Sequence, residues 1–308
     1  MAHRGRKPER VSRARETQGA QGAYAGNLRE KVRRYGIRFK KALGQNLLLD
    51  GNINRIMASA AALSPEDSVV EVGAGLGALT ALLAERAGHV LAIEIDPSFM
   101  PCLEDQFGAM PHVRLFRGDV LNHDLDGLLN EFLSGCSQFK LVANLPYYIT
   151  TPLLFHFLES PVFFSRLVVM VQAEVGQRLT ANVDTPDYGV LTLAARLYAE
   201  VDIVHHVSAT CFVPRPKVDS CIVRFRCRAM EPAAKQRIAD TLAVARAAFA
   251  QRRKTLKNSL CHARPFGLSR EAVMAGLATS GIDGERRPQT LDMDEFNRLA
   301  TALRSRLS

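Results

Sequence analysis

No apolar run in the 308 residues approaches the roughly 20 residues that a membrane-spanning helix needs, so none is expected. The first forty residues hold no apolar h-region, which argues against a secretory signal. They are rich in arginine, as organellar transit peptides are, but Glu9, Glu16 and Glu30 and the missing amphipathic pattern argue against that reading too. Cysteine is sparse. Cys102, Cys136, Cys211, Cys221, Cys227 and Cys261 include no C-x-x-C pair and no histidine at ligand spacing. Reduced thiols of a cytoplasmic protein are therefore expected, with no disulfide frame and no metal site. There is no internal repeat.

The composition is 47% hydrophobic and 23% charged, close to globular averages, which excludes wholesale disorder. The length suits one large domain or two. A net charge of +9 suggests an anionic partner, and its distribution is uneven. Residues 1–41 carry a net +10, residues 42–231 a net −8 and residues 232–308 a net +7.

Residues 1–37 have few large apolar side chains and are expected to form a disordered or loosely helical basic arm. From Arg38 onward, β-branched runs alternate with helical stretches: Ser68–Gly73, His89–Asp96, Val113–Asp119, Phe139–Asn144 and Arg166–Gln172. Between the first two, Leu79, Leu82, Leu83 and Arg86 fall at helical spacing. Such alternation predicts an α/β fold with a parallel sheet covered on both faces. Val201–Val207 and Asp219–Cys227 have no helix between them and predict an antiparallel pair at one sheet edge. After Pro232 the strands stop. A long helix over 234–260, with Leu242, Phe249, Leu256 and Leu260 on one face, is followed by a helix over Ser269–Ala278. A last helix begins at a capping box of Asp292 and Glu295. The expected division is an arm (1–37), an α/β domain (38–228) and a small helical domain (229–308).

The most informative local feature is Glu71-Val-Gly-Ala-Gly-Leu-Gly77, where the first strand gives way to the first helix. Its glycines allow a sharp turn and close approach of a ligand. The spacing is G-x-G-x-G rather than G-x-G-x-x-G, and no Lys-Ser/Thr follows, which disfavours both a dinucleotide fingerprint and a phosphate-cradling loop. Glu94 ends the second strand, where an acidic residue accepts ribose hydroxyls, and Asp119 ends the third. Two carboxylates with no counter-charge for a pyrophosphate favour a cationic nucleoside cofactor, S-adenosylmethionine, over NAD.

The fourth strand ends in Asn144-Leu145-Pro146-Tyr147. This tetrapeptide resembles the N-P-P-Y or N-L-P-Y motif of methyltransferases acting on exocyclic amines. A conjugated amine is a poor nucleophile. Carbonyls of Asn144 and Leu145 accepting its two hydrogens would favour a pyramidal nitrogen whose lone pair faces the sulfonium methyl. Pro146 stiffens the turn, and Tyr147 offers a ring on which a base can stack.

The resemblance then extends over residues 38–308. Phe39–Asp50 (FKKALGQNLLLD), Phe212–Ser220 (FVPRPKVDS), Phe249–Leu260 (FAQRRKTLKNSL) and the terminal TLDMDEF are similar to segments of the KsgA-type ribosomal RNA adenine dimethyltransferases. The resemblance implies a Rossmann-like class I methyltransferase sheet with an added C-terminal helical domain. It also implies dimethylation of N6 on two adjacent adenines in the 3′-terminal hairpin loop of small-subunit ribosomal RNA, late in 30S assembly. Carried over by position, Asn46, Leu48, Gly73, Gly75, Glu94, Asp119 and Asn144 hold the cofactor. Asn144 and Leu145 grip the target amine, while Tyr147 and Phe212 sandwich the base. Arg246, Arg252, Arg253, Lys254 and Lys257 are expected to contact RNA, and a monomer is expected. Ala74 replaces a frequent proline, Leu47 a usual phenylalanine and Tyr148 a usual asparagine. Two alternatives stay open: the large-subunit methylase of macrolide resistance, and an assembly factor acting mainly by binding.

Overall fold

The computed structural model describes residues 27–40, 43–133, 135–136, 138–251, 253–262 and 269–304. In chain order the elements are α1 (27–34), β1 (Leu47–Leu48), α2 (Gly51–Ala60), β2 (Ser68–Val72), α3 (Ala78–Ala84), β3 (His89–Glu94), α4 (Met100–Phe107), β4 (Val113–Arg117), α5 (Leu125–Phe132) and β5 (Phe139–Asn144). There follow α6 (Thr150–Leu158), β6 (Phe164–Gln172), α7 (Ala173–Thr180), α8 (Val190–Tyr198), β7 (Ala199–Val207), β8 (Phe212–Val213) and β9 (Ser220–Cys227). Among the described residues there then follow the helices α9 (Pro232–Phe249), α10 (Leu256–His262), α11 (Arg270–Ser280) and α12 (Met293–Arg304).

Seven strands form one sheet in the order β4-β3-β2-β5-β6-β9-β7. The first five run parallel; β9 pairs antiparallel with β6 and with the edge strand β7. Side chains alternate between faces along each strand. On β6, Leu167, Val169 and Val171 join the core under α5 to α8, while Val168 and Met170 join the core under α1 to α4. The order reverses between β2 and β5, the place where open α/β sheets bind ligands.

Residues 27–37, expected to belong to the basic arm, are part of the folded body. Residues 27–34 are helical and bury Leu28, and Ile37 follows them into the same core. The reason lies in spacing: Leu28, Val32 and Tyr35 fall at i, i+4 and i+7 and give a narrow apolar stripe among arginines. Residues 1–26 lie outside the described residues.

The single helix expected over 234–260 is two helices. α9 stops at Phe249, and the N–H groups of Leu256 and Lys257 bond instead to the carbonyls of Arg286 and Gly284, at 2.8 and 3.0 Å. Those donors at the start of α10 are thereby satisfied by a neighbouring loop, which sets its new direction. Leu242, Phe249, Leu256 and Leu260 still share one core, together with Leu193 and Leu197 of α8. The capping box at α12 forms as expected: Asp292 Oδ1 accepts from the Glu295 N–H at 2.8 Å, and Glu295 Oε2 from the Asp292 N–H at 3.0 Å.

Candidate active site

β2 lies at the centre of the parallel strands, so its carboxyl end opens toward the reversal point. There the chain turns through Gly73, Gly75 and Gly77 at φ of 81°, 54° and 79°. This left-handed region penalises a Cβ by roughly 1–2 kcal/mol. Glu94 stitches the turn to β3: its Oε2 accepts from the Gly75 N–H and its Oε1 from the Asp96 N–H, each at 2.8 Å. Burial pushes the Glu94 carboxyl up from its ordinary value, against the pull of those N–H groups. Glu71 is fully buried, and the Thr80 hydroxyl donates to its Oε2 at 2.6 Å. Burial raises Glu71 to about 8, so it is a neutral acid at pH 7.

The segment before β1 crosses the cleft and is pinned to the end of β3. Lys40 Nζ and Gln45 Nε2 reach the two carboxylate oxygens of buried Asp96, at 2.8 and 2.7 Å. Burial alone would raise Asp96, but hydrogen bonds from Lys40, Ser98 and Gln45 outweigh it and hold it at about 2. Asn46 donates to the Gly44 carbonyl at 3.0 Å. β1 then pairs with β8, Leu48 opposite Phe212.

A cleft of about 1130 Å³, measured out to its open mouth, joins these parts. Asn46, Leu48, Gly73, Gly75, Glu94, Asp119 and Asn144 all line it, as do Leu145, Pro146 and Tyr147. A Cβ on Gly73 would stand 3.6 Å from the Asn144 carbonyl oxygen, so the glycine turn and the N-L-P-Y turn lie side by side with room for little more than one side-chain atom between them. Asp119 is half-buried and accepts from the Leu121 N–H at 3.1 Å and from Asn122 Nδ2 at 2.9 Å. The Tyr147 and Ser220 hydroxyls lie 2.6 Å apart, which ties the target turn to β9. Burial raises the Tyr147 phenol further above its ordinary value, so the ring is neutral.

Phe212 is the correction. Its ring is 2% exposed and packs in the core beneath the β1–β8 ribbon, not among the residues that line the cleft. Pairing with Leu48 turns it inward. The exposed ring at the mouth belongs to Tyr148, which is 52% exposed and lines the cleft over Gly44. Leu28 and Ile95 also line the cleft, and these two residues and the Glu71–Thr80 pair were not among those expected from sequence. Glu71 heads the glycine motif, and Ile95 follows Glu94 directly, which is the signal available for each.

The basic residues expected to meet RNA are not on one helix face. Arg253 and Lys254 are exposed in the turn between α9 and α10, and Arg252 lies outside the described residues. Arg246 is ion-paired with Glu159 and sits 5.1 Å from the Phe155 ring centroid, while Lys257 is ion-paired with Glu285. Both are committed within the protein.

The family model described as ribosomal RNA adenine dimethylase matches residues 36–304. The chain belongs to this family. It is a ribosomal RNA adenine dimethyltransferase that uses S-adenosylmethionine. The "Ribosomal RNA small subunit methyltransferase A" of Geobacillus thermodenitrificans is 44% identical over 282 residues, 91% of this chain and 96% of that protein. The protein of that name from Pelotomaculum thermopropionicum is 46% identical over 279 residues, covering 89% and 94%. Among solved structures, a dimethyladenosine transferase from Plasmodium falciparum has the same fold, with a TM-score of 0.66 at 24% identity over 82% of this chain and 95% of that one. The 23S rRNA methyltransferase ErmE aligns with a TM-score of 0.58 at 28% identity, over 82% and 97%.

The cleft fits that cofactor. Glu94 and Asp119 line it beside the neutral acid Glu71, and no lysine, arginine or histidine is among its described lining residues, which suits a sulfonium cation and not a polyphosphate. The glycine turn leaves backbone open to a ligand where a Cβ would project. Among the described residues, no group of three His, Cys, Asp or Glu side chains is placed to hold a metal ion. No described helix is long and apolar enough to cross a membrane.

Proposed function

We propose that the protein dimethylates N6 of two adjacent adenines in the 3′-terminal hairpin loop of small-subunit ribosomal RNA, acting as a cytoplasmic monomer on a late 30S precursor. The observation that carries this reading is the juxtaposition of the two turns: Gly73 and Asn144 line one cleft, and a Cβ on Gly73 would meet the Asn144 carbonyl. A methyl donor and an amine acceptor held on those turns share a single space. The names of the relatives at 44% and 46% identity favour the small subunit. The bound cofactor supplies an electrophilic methyl group on a sulfonium.

In this reading Gly73, Gly75, Asn46 and Leu48 enclose the methionine end, Glu94 accepts ribose hydroxyls and Asp119 accepts from the adenine amino group. Both carboxylates retain lone pairs beyond the hydrogen bonds they already accept. The Asn144 side-chain carbonyl and the Leu145 main-chain carbonyl accept from the target N6. No strong general base is needed, because the product ammonium is acidic and gives its proton to solvent. Tyr147, held by Ser220, stacks on the extruded base. Extrusion costs a few kcal/mol, and stacking on an aromatic ring returns roughly 1–3 kcal/mol per base. A hairpin loop lowers the cost, since its bases are partly unstacked already. Of the five basic residues expected to meet RNA, Arg253 and Lys254 stand exposed in the turn after α9 and are the ones offered to phosphate.

Mapping dimethyladenosine on ribosomal RNA from cells with and without the protein tests this. Loss of the two marks in small-subunit RNA is the expected result. Methylation of naked large-subunit RNA in their place would support the alternative.

A further inference from the structure

We infer that α1 belongs to the cofactor-binding machinery, with Gln106 and Lys31 as positioning residues that transmit its docking to the glycine turn. The inference rests on the cleft being the cofactor site, and it concerns a helix that precedes the residues matched by the family model.

A relay of two hydrogen bonds carries it, supported by packing on either side. Lys31 Nζ donates to Gln106 Oε1. The same amide donates through Nε2 to the Leu76 carbonyl at 3.1 Å and to the Cys102 carbonyl at 2.7 Å. Leu76 lies between Gly75, whose N–H holds Glu94, and Gly77. The glycine turn also packs directly on the end of α4. A Cβ on Gly77 would stand 2.5 Å from the Phe107 ring and 3.2 Å from Gln106 Nε2. The helix is fastened to α4 a second time, where the Tyr35 hydroxyl donates to Asp105 at 2.7 Å and Arg34 approaches the same carboxylate at 3.5 Å. Finally, buried Leu28 reaches the cleft itself as one of its lining residues.

One amide therefore faces an ammonium on α1 with its oxygen and a glycine-turn carbonyl with its nitrogen. An amide satisfied at both ends has one orientation, so the position of α1 and that of the turn are linked. Linked equilibria are reciprocal: a docked α1 favours the cofactor, and the cofactor favours a docked α1 by the same factor.

The test uses the full chain and S-adenosylhomocysteine as the probe. Calorimetry on Gln106→Leu should show Kd raised about tenfold, with a smaller rise for Lys31→Met, as for loss of a hydrogen bond to a charged partner. With substrate RNA, the KM for S-adenosylmethionine should rise while kcat holds. Saturating probe should slow amide exchange across residues 27–34 in the wild type and fail to do so in Gln106→Leu. If that variant does not fold, Gln106→Glu replaces it, keeping an acceptor for Lys31 while removing the donor to Leu76. Variants whose Kd stays within about twofold of the wild type while their Tm falls would reduce the link to plain stability and overturn the inference. Failure of the wild type to bind the probe would overturn the cofactor reading, and this one with it.

Discussion

The glycine turn after β2 and the basic turn after α9 are the two stretches where the sequence speaks most plainly of chemistry, and they are built in opposite ways. At the first, the backbone does the work. Three residues sit at positive φ, the N–H groups of Gly73 and Gly75 are bonded to Ile93 and Glu94, and the side chains around them are buried. At the second, Arg253 and Lys254 stand in solvent. A site for a small cation has to be complete before its ligand arrives. A surface for a polyanion only needs charge within reach of phosphate. The first is consequently intolerant of change, and the second is graded.

Asn144→Ala should lower kcat by about 10²–10³ with the KM for S-adenosylmethionine far less affected, the scale seen when one preorganised polar group is removed from a reacting centre. Subunit maturation in cells carrying Asn144→Ala separates methylation from any assembly role. Gly77→Ala should cost about 2–4 kcal/mol in urea unfolding, since a Cβ there combines left-handed strain with a clash against Phe107. A loss below about 1 kcal/mol would mean the turn is not rigid.

Glu71 offers a test by pH. Its folded value of about 8 lies above its ordinary 4.5, so its share of stability is complete below 4.5 and is lost as pH rises through 8. Glu71→Gln should therefore flatten the fall in stability between about pH 5 and about pH 9, followed by unfolding midpoints. On the basic side, the double variant Arg253→Ala, Lys254→Ala should weaken RNA binding and reduce the log–log salt slope by roughly 0.7–0.9 for each lost phosphate contact. Arg246→Ala should leave that slope unchanged and cost about 1 kcal/mol of stability, as its partners are Glu159 and Phe155. A reduced slope for Arg246→Ala would return it to the RNA surface.

The strands, the cofactor loop and the α12 capping box were legible because each depends on neighbours within a few residues. β-branched alternation, glycine where a Cβ is penalised, and Asp292 three residues before Glu295 are local statements. Phe212 was misread because its fate depends on Leu48, which lies far away in the chain and turns the ring inward through β1–β8 pairing. The long helix over 234–260 was misread for a similar reason. Its apolar face is continuous in sequence, but the carbonyls that interrupt it belong to Gly284 and Arg286. Arg246 and Lys257 were expected to meet RNA, and the carboxylates they pair with, Glu159 and Glu285, lie in other elements and could not be read from their own helix.

The parallel α/β sheet, the place of the glycine turn, the acidic residues at or just past the ends of β3 and β4, and the N-L-P-Y turn follow from local pattern alone. Hydrophobic period and backbone stereochemistry act at short range and are written residue by residue. Packing settled which ring is buried and which stands at the mouth, which cations are ion-paired, and the place of residues 27–37 in the folded body. Those outcomes depend on competition among distant groups for the same space and the same hydrogen bonds, and that competition is settled only when the chain is packed.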